Sequence, residues 1–207
     1  MSSWLAGSSQ FSLATAPLPI ILFWLNFCAW VAIWIGLVLR DRGFHVDVHT
    51  PTDQGSRTRI GISLWSGVLL ALLTAWAVPA AHLPGNGWLL LLVGLAMLWG
   101  GIALRVWAVR TLGPRFRTVV MIDDDHQLIT TGPYRLLRHP SYAGSLLTLA
   151  GIGVALGNWL SLLLAVLGAL IGFTRRIRIE EAALQTRFGT AYTAWAQRTW
   201  RLVPFMW

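Results

Sequence analysis

Apolar residues in this chain fall in long unbroken runs, without the period-two alternation of a half-buried strand or the single stripe of a surface helix. Residues 17–39, 60–81 and 88–109 are each close to the roughly 20 apolar residues that a bilayer crossing requires. Two later runs, 142–156 and 159–173, are shorter. At about 1.5 Å of rise per residue each gives roughly 22 Å, against a hydrocarbon core of about 30 Å. Helix must therefore continue past the apolar part. No proline interrupts the chain between Trp159 and Arg201, so the fifth helix can extend into water, carrying Arg175, Arg176, Arg178, Glu180 and Glu181. The pattern predicts one all-α integral membrane domain over residues 1–207, with about five transmembrane helices and a helical tail over 174–207.

Composition agrees with this solvent. Hydrophobic residues make up 56% of the chain and charged residues 12%, about half of what a soluble domain carries. The net charge of +8 comes wholly from 16 arginines, since the chain has no lysine. All of them fall within 40–59, 105–138 or 175–201, leaving the intervening segments empty. Such clustering is positive-inside topology rather than a nucleic-acid-binding face, and it predicts an outside N-terminus and a cytoplasmic C-terminus. The first 16 residues are uncharged and serine-rich, which suits an outside tail better than a signal peptide. An arginine-only basic set and a short core give a compositional expectation of a bacterial inner membrane, with the active site facing the cytoplasm.

Several chemistries lose support. The one cysteine, Cys28, has no disulfide partner. His45, His49, His82, His126 and His139 form no metal-ligand spacing, so no metal site is expected. The triplet Asp123, Asp124 and Asp125 reads as a solvated turn, and hydrolase and Rossmann fingerprints are missing. Gly153 with Gly157, and Gly168 with Gly172, have the small-xxx-small spacing of close helix packing.

The candidate chemistry lies in residues 132–144, GPYRLLRHPSYAG, at the start of the fourth run. Polar and ionisable side chains against a lipid-embedded helix are costly unless they bind something. Pro140 is suited to the first helical position, which places His139 at the cap. A helix amino end offers unpaired N–H groups and positive potential for an anion, while Glu180 and Glu181 supply the opposite charge. A ligand with a carboxylate, an ammonium and ribose hydroxyls satisfies both ends, and S-adenosylmethionine has all three. Arg105, about one turn before the inner end of the third run, either snorkels to the interface or holds an anionic group.

These residues also carry a family likeness. His126, Gln127, Leu128 and Ile129, then Gly132, Pro133 and Tyr134, then Arg138, His139, Pro140, Ser141, Tyr142, Ala143 and Gly144 resemble the isoprenylcysteine carboxyl methyltransferase family and its phospholipid methyltransferase relatives. The ending, with Arg176, Glu180, Glu181, Phe188, Gly189, Tyr192, Arg201 and Pro204 in order, agrees. The likeness covers residues 105–204, and the first two helices carry no signature. It implies a membrane enzyme that binds S-adenosylmethionine and draws a lipophilic or prenylated substrate from the surrounding membrane lipids. Matching positions make His126, Gln127, Leu128, Ile129, Tyr134, His139, Pro140, Ser141, Tyr142 and Glu180 the cofactor contacts. Arg176, on the same helical face as Glu180, matches the position tied to substrate, and Arg138 is a second candidate for orienting a carboxylate. The implied activity is carboxyl O-methylation. N-methylation of a phospholipid amine, an NADPH-dependent sterol-type reductase and a non-enzymatic membrane binding protein are the alternatives.

Overall fold

The computed structural model describes residues 17–42, 56–113 and 128–205. Five helices follow one another: α1 (Pro17–Arg42), α2 (Ser56–Ala77), α3 (Gly87–Leu112), α4 (Pro140–Ala155) and α5 (Trp159–Ala196), with no strand among the described residues. The all-helical membrane architecture is the expected one. By length and hydropathy α1, α2, α3 and α5 can each cross a bilayer. The 16 residues of α4 span only about 24 Å, so this helix is short for a full crossing.

Helix boundaries have local causes. Asn86 caps α3 by accepting from the backbone N–H of Trp88 at 2.9 Å, and Asn158 caps α5 by accepting from Ser161 at 3.0 Å. α2 stops at Ala77, short of where its apolar run ends, because Val78 precedes Pro79 and is pushed out of helical geometry (φ −126°, ψ 67°). At the far end from the site, Asn158 donates to the Val78 carbonyl at 2.9 Å and the Leu83 N–H donates to Gly157 at 2.7 Å. The α2–α3 and α4–α5 turns are thereby tied together.

Close approach of backbones holds the bundle. α3 and α4 run antiparallel along a glycine seam, Gly94 against Gly151 and Gly101 against Gly144, where a methyl group on Gly151 would lie 2.6 Å from the Gly94 carbonyl oxygen. Association of apolar helices in lipid relies on such fit, since lipid tails are as apolar as leucine. Gly168 and Gly172, the pair expected to pack tightly, meet Gly67 and Ser63 of α2. Gly153 sits on Leu162, whereas Gly157 is a turn residue with φ +64°. α1 joins through aromatic rings, Trp30 and Trp34 lying 5.7 and 5.2 Å from Trp65, and through Trp99, whose indole donates to Asn26 at 2.7 Å.

The long α5 carries the site. It continues well past its apolar half, as the absence of proline predicts, to Gly189, where a left-handed glycine (φ 50°, ψ −121°) kinks it. The redirected final turns bring the Trp195 indole onto the Tyr134 carbonyl at 3.1 Å and lay Trp200 beside Leu137 as an isolated parallel bridge.

Candidate active site

Three segments converge at the start of α4: the turn 132–139, the part of α5 beyond its apolar stretch, and the residues after the kink. Pro140 begins α4, and His139 stands at the cap position without using its side chain as a cap. The ring is thus free for other partners. Its Nδ1 lies 3.4 Å from Glu180 and its Nε2 3.4 Å from Glu181, the only two glutamates in the chain. Glu180 also accepts from Arg176 Nε at 2.7 Å and from the Tyr142 hydroxyl at 2.6 Å. Phe173 stacks on Tyr142 at 4.8 Å, and His139 stacks on the same ring at 5.7 Å. Arg176 is only 1% exposed, so its guanidinium is a buried charge held against a carboxylate rather than an interfacial anchor.

Electrostatics follow from this crowding. Burial alone would raise both glutamates, but hydrogen bonds from His139 outweigh it, assisted by Arg176 at Glu180 and by Arg201 and Arg138 at Glu181, and both carboxyls are held at about 2. Burial pushes His139 down, yet its hydrogen bonds to Glu180 and Glu181 win and the ring ends above its ordinary value. The histidine is favoured as a cation between two anions.

Glu181 forms a second centre. Arg138 Nη1 approaches it at 3.0 Å, and Arg201 reaches both of its oxygens, Nε at 3.0 Å and Nη2 at 2.9 Å on one of them. Arg201 arrives there because the backbone after α5 pairs with the turn: the Arg138 N–H donates to Trp200 at 2.7 Å, the His139 N–H to Arg201 at 3.1 Å, and the Trp200 N–H to Leu136 at 3.0 Å.

Arg105 of α3 leans on the first turn of α4. Its Nη1 donates to the Ser141 hydroxyl at 3.0 Å and the Ser145 hydroxyl at 2.8 Å, while its buried Nε has no hydrogen-bond partner among the described residues. A buried guanidinium nitrogen without an acceptor calls for an explanation.

Tyr134, His139, Pro140, Ser141, Tyr142, Arg176 and Glu180, the set that the family likeness implies, come together at the start of α4 and the facing part of α5. Arg138 belongs instead to the Glu181 centre. Leu128 and Ile129 are half-buried just before the Gly132 turn, and His126 and Gln127 lie outside the described residues. Sequence reasoning grouped Glu181 with Glu180 as the charge opposite the ligand, gave Arg201 no role and left Arg105 between snorkelling and anion binding. Their signal was compositional: two adjacent glutamates are the chain's whole acidic complement after Asp125.

Residues 92–186 match the family described as the isoprenylcysteine carboxyl methyltransferase (ICMT) family. A probable protein-S-isoprenylcysteine O-methyltransferase of Oryza sativa subsp. indica is 40% identical over 121 residues, 58% of this chain and 63% of that protein. Protein-S-isoprenylcysteine O-methyltransferase B of Arabidopsis thaliana is 37% identical over 115 residues, 55% of this chain and 58% of that protein. The chain thus spans about three fifths of the length of these curated relatives. Among solved structures, the eukaryotic intramembrane Ras methyltransferase ICMT superposes with a TM-score of 0.66 at 26% identity, covering 94% of this chain and 70% of that one. The likeness carried by the motifs therefore holds, and over residues 92–186 the chain is similar to the isoprenylcysteine carboxyl methyltransferase family.

Proposed function

We propose that the chain is an S-adenosylmethionine-dependent methyltransferase that esterifies the carboxylate of a lipophilic, isoprenylcysteine-like acid at the membrane surface. The observation that carries this reading is the presence of opposite charges at the first turn of α4: the Glu180 carboxylate on Tyr142, and the Arg105 guanidinium on Ser141 and Ser145, its buried Nε without a partner among the described residues. An amino-acid head group, carboxylate and ammonium together, is the ligand chemistry that answers both. When bound, the donor supplies an electrophilic methyl group on a positively charged sulfur.

The chain's own residues have limited tasks. Glu180, kept ionised by His139 and Arg176, receives an ammonium. Arg105 and the amino end of α4 receive a carboxylate. Arg176, buried behind Glu180, holds that carboxylate in place and adds positive potential where an acceptor acid would approach. An acceptor carboxylate is already ionised at neutral pH, so no general base is required. Merging of opposite charges in the transition state favours a dry site, and the apolar walls of α3, α4 and Phe173 exclude water. Arginine clustering supports a site on the cytoplasmic face; the bacterial-membrane expectation keeps only its compositional basis, the relatives reported above being from plants.

Purified protein would be titrated calorimetrically with S-adenosylmethionine, S-adenosylhomocysteine and NADPH, then assayed for label transfer to an S-prenylated cysteine, to its carboxamide and to an amine phospholipid. Binding of the first two ligands with a base-labile ester on the free acid is expected. Binding of NADPH alone contradicts the reading. Label on the phospholipid amine moves the acceptor to the N-methylating alternative.

A further inference from the structure

Glu181 makes no contact that a donor-binding role explains, yet it has a dense set of cationic partners. It touches Arg138, the Nε2 of His139 and the Nε and Nη2 of Arg201. His139 is the link between the two glutamates, since its other nitrogen faces Glu180. Arg201 reaches both carboxylate oxygens, Nε one at 3.2 Å and Nη2 the other at 2.9 Å, and such two-point contact fixes a carboxylate in direction as well as position. A carboxylate fixed in direction in turn fixes the imidazole that bonds to it.

Arg201 lies 20 residues beyond Glu181 on the far side of the Gly189 kink. The backbone pairing of 136–139 with 200–201 carries it there. Leu202, next in sequence, is 2% exposed and belongs to the main core, so this segment is seated rather than draped.

We propose that Arg201 is a positioning residue for the donor site: through Glu181 it sets the ring of His139, and through that ring the Glu180 carboxylate, so the site is complete only with the carboxyl-terminal segment docked. This rests on the reading of Glu180 given above. Arg201 itself is 36% exposed at its side chain and needs to touch no ligand to act.

The test is calorimetric titration of S-adenosylhomocysteine into the intact chain and into Arg201→Gln, Arg201→Lys, Glu181→Gln and an exposed control, Arg198→Gln, with donor KM and kcat measured on each. Arg201→Gln should weaken binding on the order of tenfold or more and raise the donor KM by a similar factor, the range found when residues supporting a directly bonding ligand are lost. It should leave kcat within a few fold, because the atoms around the transferred group are unchanged. Arg201→Lys should recover part of the loss, and Arg198→Gln should match the parent. The double variant Arg201→Gln with Glu181→Gln should lose little more than either single one, as expected for groups acting in series.

Parent-like affinity in Arg201→Gln overturns the inference while leaving the donor site standing. Absence of binding in the parent chain overturns both. Should Arg201→Gln fail to fold, Glu181→Gln decides: an equal loss supports the linkage, and unchanged affinity removes it.

Discussion

The Tyr142 hydroxyl donates to Glu180 across 2.6 Å, joining the first turn of α4 to the polar extension of α5 at a carboxylate that Arg176 also holds at 2.7 Å. Tyrosine, arginine and histidine all orient this one group, so each contributes to its direction and none is redundant.

Tyr142→Phe removes a hydrogen bond to a charged acceptor while leaving the stack on Phe173 intact. A bond of that kind is worth about 1.5–3 kcal/mol, which corresponds to roughly tenfold or more in S-adenosylhomocysteine affinity. Isothermal titration of the variant checks it, and thermal unfolding should change far less than the binding.

Arg105→Gln separates a functional charge from a structural one. Its Nε is buried without an acceptor among the described residues, so neutralising the group removes a desolvation cost. The unliganded protein should melt at the same temperature or higher, whereas kcat/KM for methyl transfer should fall by about tenfold or more. A fall in melting temperature with activity retained would mark Arg105 as part of the packing alone.

Acid and base limits follow from the cluster. Glu180 and Glu181 are held at about 2, below their unfolded values near 4.3. Their contribution to stability is therefore present above about pH 4.3 and drains away as pH falls toward 2. His139 is raised, so its contribution is full below its unfolded value near 6.5 and is lost as pH rises through the folded value. Melting temperature in detergent should be highest between roughly pH 4.5 and 6.5, and His139→Gln should flatten the alkaline side of that profile.

The glycine seam predicts a stability effect remote from the chemistry. A methyl group on Gly144 would lie 2.6 Å from the Gly101 carbonyl and 2.8 Å from the Arg105 amide, which no side-chain movement relieves. Gly144→Ala should cost about 1–3 kcal/mol or more and displace Arg105 as well. Gly100→Ala, whose nearest neighbour would be Leu147 at 3.9 Å, should leave the melting temperature nearly unchanged.

Local patterns made part of this legible. Apolar runs located the helices, the proline-free stretch after Trp159 gave α5 its extension, and the four-residue spacing of Arg176 and Glu180 gave their contact. The α3–α4 seam escaped notice because its glycines recur every seven residues, 94 and 101 facing 144 and 151, rather than every four. The seven-residue period on both helices was the readable signal. Arg201 was beyond reach for a different reason. Its placement depends on Trp200 pairing with Leu137, 63 residues earlier, through a kink at Gly189, and no local periodicity encodes such a pairing.

The Glu180 carboxylate, held by Tyr142, Arg176 and His139, is the proposed seat of a sulfonium donor's ammonium group. Calorimetric titration of S-adenosylhomocysteine into the parent chain and into Glu180→Ala, with thermal unfolding recorded to establish that the variant is folded, addresses it most directly. Saturable binding by the parent and none by the folded variant is the predicted result. A folded Glu180→Ala that binds as tightly as the parent contradicts it.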